Sequence, residues 1–87
     1  MITYDMEQRD RFSKYEYLYR CIRGDIRRGM LLPGSKLPSK RALAQHLSVS
    51  VSTVEQAYDL LVSEGYVQAR KGSGFYVAPS PKGVVHI

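Results

Sequence analysis

Residues 37–77 read LPSKRALAQHLSVSVSTVEQAYDLLVSEGYVQARKGSGFYV, and their punctuation decides the fold. Pro38 drives Leu37 into extended geometry. Ser39 is a good N-cap for a helix from Lys40 to Leu47, whose inner face is Ala42, Leu43 and Leu47. Ser48-Val49-Ser50 interrupts it, and Ser50 caps a further helix over 51–64. There Val54, Ala57, Tyr58 and Leu61 share one face, with Ser52, Gln56, Asp59 and Ser63 on the other. Gly65 supplies a C-terminal stop. Two β-like runs, 66–70 and 75–77, enclose Lys71-Gly72-Ser73-Gly74, which is a hairpin signal. Two short helices joined by a three-residue turn, then a hairpin, spell a winged helix-turn-helix.

Working outward, Phe12, Tyr15, Tyr19, Ile22 and Ile26 recur at helical spacing with Leu18 beside them, which predicts a first helix over 12–29. Tyr15, Tyr19 and Tyr58 are expected in the core. Gly24 weakens the first helix by about 1 kcal/mol relative to alanine, so it needs tertiary support. Gly29 and then Pro33 end it. Before it, Ile2, Tyr4 and Met6 alternate as a short strand would. After Val77, Ala-Pro-Ser-Pro-Lys-Gly has linker composition, and Val84-Val85-His86-Ile87 finds no obvious packing partner. The fold class is therefore mostly α with a small β-hairpin, three helices plus a two-stranded wing. Residues 1–11 form an N-terminal extension and 12–78 the domain. Residues 79–87 start a linker or tail toward a further domain, as expected of a piece of a longer protein.

Composition agrees and narrows the function. The 87 residues carry 13 Lys and Arg against 8 Asp and Glu, a net charge of +5. That excess favours a polyanionic partner, nucleic acid before an anionic membrane surface. A chain of this size has one modest core and little room for a catalytic cleft. The single cysteine, Cys21, excludes an intrachain disulfide and a thiolate zinc site. His46 and His86 have no second ligand at metal spacing. No apolar run reaches the ~18 residues of a membrane span, and the opening MITYDMEQRD is not a signal peptide, so the cytoplasm is the expected compartment. No nucleophile–base set is apparent, and Gly72-Ser73-Gly74 joins strands rather than opening a helix, so it is no nucleotide loop. The expectation is a non-enzymatic chain with no cofactor or metal of its own.

A helix fits the major groove if its leading residues are small or hydrogen-bonding. Ser50, Val51, Ser52, Thr53, Glu55 and Gln56 meet that need. Gln56 suits adenine, Glu55 a cytosine amino group and Val51 a thymine methyl. The helix itself holds Glu55, Asp59 and Glu64 but no Lys or Arg. Phosphate affinity must come from Lys36, Lys40 and Arg41 around the Ser39 cap, with that helix's free N–H groups, and from Arg70 and Lys71 in the wing. Gly72 and Gly74 let the wing backbone pass close to a sugar-phosphate ridge, with Ser73 between them among the expected contact residues. Arg27 and Arg28 are assigned to the first helix's dipole. The acidic recognition helix favours one rival from another class, a winged helix that binds a protein partner instead of DNA.

These residues resemble the DNA-binding domain of the GntR superfamily of bacterial transcription regulators. The resemblance rests on Pro33-Gly34, Leu37-Pro38-Ser39, Arg41-Ala42-Leu43-Ala44, Val49-Ser50, Thr53-Val54, Ala57-Tyr58, Glu64-Gly65-Tyr66 and Gly72-Ser73-Gly74, and spans about residues 15–78. ITYDM with YEYLYRCIRGDI is most like the MocR branch. The resemblance implies double-stranded DNA as partner, with Arg41 and the Ser50, Ser52 and Thr53 positions in contact and Gly72 at the minor groove. It implies a homodimer in the full-length protein, weak or absent in this chain. It also implies a separate aminotransferase-fold domain that binds pyridoxal phosphate. Val51 and Glu55 depart from the pattern, since members often carry Arg at the first position and some carry it at the second, and this bears on the operator sequence.

Overall fold

A computed structural model describes residues 4–79. Each of three helices starts on a serine whose hydroxyl accepts an amide N–H three residues on, satisfying one of the orphan donors of the first turn. Ser13 accepts from Glu16 ahead of α1 (Lys14–Arg27), Ser39 from Ala42 ahead of α2 (Lys40–Leu47), and Ser50 from Thr53 ahead of α3 (Val51–Ser63). Strands β1 (Val67–Arg70) and β2 (Gly74–Val77) pair antiparallel, with Val67 opposite Val77 and Arg70 opposite Gly74. Three helices plus a two-stranded wing are thus present as expected.

Helix α3 is the hub, packed against α1, α2 and β1. Leu18 and Ile22 of α1, Leu43 of α2, and Val54, Ala57, Tyr58 and Leu61 of α3 are completely buried with Val77 of β2. The Tyr58 ring meets the edge of Phe75 at 4.9 Å between centroids. Its hydroxyl donates to the Pro38 carbonyl at 2.7 Å. One side chain thereby ties α3 to the wing and to the entrance of α2.

Several expectations need correction. Helix α1 begins at Lys14 and not at residue 12, because Ser13 takes the cap, and it ends at Arg27. Phe12 therefore stands outside it, its ring faced by the Arg20 guanidinium at 4.4 Å. Tyr15 is half-buried and outside the core cluster, and the buried stripe runs Leu18, Tyr19, Ile22, Ile26. In α2 it is Ala44 that is buried and Ala42 that is partly exposed, a choice set by where α3 crosses. The N-terminal alternation is no strand over its described part. Asp5 accepts from the Glu7 amide and caps a 3-10 helix, Met6–Arg9, whose Met6 enters the core. Ile2 lies outside the described residues, as do the proposed linker and tail from residue 80 on. The strands begin one residue late at Val67 and one early at Gly74, which shortens the loop to Lys71-Gly72-Ser73. Residues 34–37 also run along the second edge of β2, where the Leu37 amide donates to Phe75 O and the Val77 amide to Ser35 O, both at 2.8 Å. Among the described residues no helix is long and apolar enough to cross a membrane.

Candidate nucleic-acid interface

The first turns of α2 and α3 carry most of the candidate residues. Ser39 and Ser50 are caps, so their hydroxyls already hold the Ala42 and Thr53 amides. Thr53 Oγ1 lies 2.9 Å from Ser50 Oγ, and Gln56 Nε2 donates to Ser52 Oγ at 3.2 Å. Val51 is exposed at 43% although apolar, which leaves its methyl groups open to a partner. Arg41 is exposed on the first turn of α2 and its guanidinium has no partner among the described residues.

Lys40 joins the pieces. Its ammonium sits 3.0 Å from Glu55 Oε2 on α3 and 5.3 Å from the centre of the Phe75 ring in β2. Glu55, set against a cytosine by the sequence pattern, is therefore engaged by a lysine of the neighbouring helix.

The wing is built around Tyr76. Arg70 stacks over that ring at 4.3 Å, and the Tyr76 hydroxyl shares a short hydrogen bond with Ser73 Oγ. Lys36 pairs with Tyr76 from the other edge, and its side chain passes over Gly74, where a Cβ would come within 3.2 Å of Lys36 Cε. Lys71 and Gly72 are exposed at the tip. Gly72 has φ +77 with open space around it, so backbone conformation and not crowding requires glycine there. Lys36, Arg70 and Lys71 have no acidic partner among the described residues.

Lys40 thus links α3, through Glu55, to the wing, through Phe75, while Arg41 and Lys71 stand apart with no side-chain partner among the described residues. Sequence reasoning places Tyr58 in the core but misses the part that Tyr58, Phe75 and Tyr76 play in arranging the site. Tyr76 was within reach, because Gln68 pairs with Tyr76 and Arg70 lies two residues further on the same face. The arginines from Arg20 to Arg28 are engaged, whereas Lys14, at the start of α1, is exposed with no partner among the described residues. Arg20 pairs with Glu16, Arg23 donates to the Tyr19 hydroxyl, Arg27 lies over Tyr66, and Arg28 meets Asp25 in a short contact. Burial pushes the Cys21 thiol above its usual range, which keeps it a poor nucleophile. Among the described residues no group of His, Cys, Asp or Glu is placed to hold a metal.

Three helices and a wing presenting this polar surface define a winged-helix domain of the kind used to bind DNA. Residues 14–77 match the family model described as bacterial regulatory proteins, gntR family. The chain is 47% identical over 62 residues to an uncharacterized HTH-type transcriptional regulator, YdeL, of Bacillus subtilis, covering 71% of this chain and 13% of that protein. It is 41% identical over 71 residues to the probable rhizopine catabolism regulatory protein MocR of Rhizobium meliloti, covering 82% of this chain and 14% of that protein. The structure of the AraR DNA-binding domain in complex with operator ORE1 superposes with a TM-score of 0.72 at 34% identity, covering 77% of this chain and 82% of that one. The chain belongs to the GntR family, and its fold is that family's non-catalytic DNA-binding domain. MocR-like regulators are among its relatives, and it spans only 13 to 14% of the length of the two named here.

Proposed function

We propose that this domain reads one half-site of an operator in double-stranded DNA, with the start of α3 in the major groove and the wing along the flanking minor groove. The observation that carries this is a set of exposed cations without acidic partners on the elements that Lys40 ties to α3. Arg41 at the start of α2 and Lys36, Arg70 and Lys71 at the wing have no acidic partner among the described residues, while Ser50, Val51, Ser52, Thr53 and Gln56 lie at the cap and on the first turns of α3. The cations hold phosphates, while Gln56, on releasing Ser52, pairs with an adenine edge and Val51 packs on a thymine methyl. The operator complex of the AraR domain supports the same use of the fold here.

The whole protein, in this reading, is a cytoplasmic bacterial transcription regulator that works as a homodimer, so that paired half-sites multiply a weak single-domain affinity. Two surface hollows among the described residues, one beside β1 and one between α1 and α3, contain no lysine to form a Schiff base with pyridoxal phosphate. That cofactor is assigned to a further domain by resemblance alone.

Selection from a randomised duplex pool at about 50 and 200 mM salt tests the reading. Enrichment of a short motif with steep salt dependence is expected. Failure to retain any duplex at low salt would contradict it and favour the protein-binding alternative, which the acidic residues of α3 support.

A further inference from the structure

We infer that Glu55 is a positioning residue that withholds Lys40 from DNA phosphates, holding down affinity for unrelated sequences so that the uncharged residues of α3 carry selection. This rests on the DNA-binding reading above. The Lys40 ammonium is fixed from two sides, by Glu55 Oε2 at 3.0 Å and by the Phe75 ring at 5.3 Å. Its side chain is 28% exposed against 53% for Glu55, so the lysine is the more enclosed partner. Glu55 lies one turn beyond Val51 and Ser52, on the leading part of α3 that would face the groove.

Magnitudes say where the effect falls. An exposed ion pair contributes at most about 1 kcal/mol to folding, so scaffolding is a minor consequence of this one. Near DNA, one lysine free to meet a phosphate releases about 0.9 counterion, which at 100 mM salt amounts to about an eightfold gain in affinity for any sequence. Glu55 suppresses that gain. Arg41, Lys36, Arg70 and Lys71 are left to hold the backbone, and a lysine added to them would strengthen right and wrong sites alike. Specificity is the difference between those affinities, so suppressing the sequence-independent part sharpens it.

A double-mutant cycle on this 87-residue chain tests the inference, using one duplex selected from the random pool and one of unrelated sequence. Glu55→Gln should steepen the slope of log affinity against log salt by about 0.9 on both duplexes. Unrelated-duplex affinity should rise about eightfold at 100 mM, with the preferred sequence unchanged and Tm lowered by no more than about 4–8 °C. In a Lys40→Met background the same Glu55→Gln change should no longer steepen the slope. Equal steepening in that background would overturn the inference by making Glu55 a plain repelling charge. An unchanged slope, or a new preference at one base pair, would overturn it too, the latter by making Glu55 a base reader. If the parent chain bound neither duplex, the DNA-binding reading itself would fall. A parent that binds, with Glu55→Gln indistinguishable from it, removes only this inference.

Discussion

Along α1 the arginines are engaged within the molecule: Arg20 with Glu16 and Phe12, Arg23 with Tyr19, Arg27 over Tyr66, and Arg28 beyond the helix with Asp25. At the start of α2 and at the wing tip, Arg41 and Lys71 have no partner among the described residues. Both regions are basic, yet the arginines of the first spend their charge within the molecule, and only Lys14 at its start has no partner among the described residues. The net charge of +5 indicates the kind of partner. The cations without acidic partners at the start of α2 and in the wing indicate the place.

That contrast breaks completely if the scaffold beneath it is removed. Tyr58→Ala should cost about 3–5 kcal/mol, seen as a large fall in Tm, because a completely buried ring is lost along with the bond to Pro38. The tyrosines also set an alkaline limit. Burial raises the Tyr58 hydroxyl above its usual range, and burial with the Asp25 hydrogen bond raises that of Tyr4. Unfolded tyrosine ionises near pH 10, so these groups contribute fully below about pH 10. Their contribution is then lost as pH rises toward the higher folded values. Denaturant midpoints measured up the alkaline range should fall from about pH 10, and less steeply in Tyr58→Phe.

The charge contrast itself is sharpened by two arginine variants. Arg41→Ala should flatten the salt slope by about 0.9 and weaken every duplex about eightfold at 100 mM. Arg23→Ala should leave that slope as it was, since its guanidinium is held by Tyr19. A flattened slope in both would erase the distinction between the two regions. The smallest effect concerns the turn between α2 and α3. Ser48 holds a left-handed conformation at φ 58, so Ser48→Gly should raise stability by about 0.5–1 kcal/mol, read as a higher Tm.

What was legible in the sequence was chiefly local. Ser39 and Ser50 fix the starts of α2 and α3, and Gly65 the end of α3, because cap chemistry acts within a few residues. The N-terminal alternation misled because three apolar residues are too few to outweigh Asp5 as a cap for the 3-10 helix. The apolar stripe of α1 was extended one turn too far because Phe12 and Tyr15 keep its spacing without its burial. The candidate residues were legible as types, yet their present state was not. Lys40 and Glu55 are 15 positions apart and meet only because of how α2 crosses α3. Likewise Arg70 needs the register of the wing before it can find Tyr76.

The central claim is that the ligand meets the cations at the start of α2 and in the wing and not the engaged arginines along α1. Amide shift mapping by NMR, with a duplex selected from the random pool, tests it most directly. The largest changes should fall at Ser39 to Arg41, Ser50 to Gln56 and Lys71 to Ser73, with Arg20 to Arg28 nearly unmoved. Changes concentrated along Arg20 to Arg28 would contradict it.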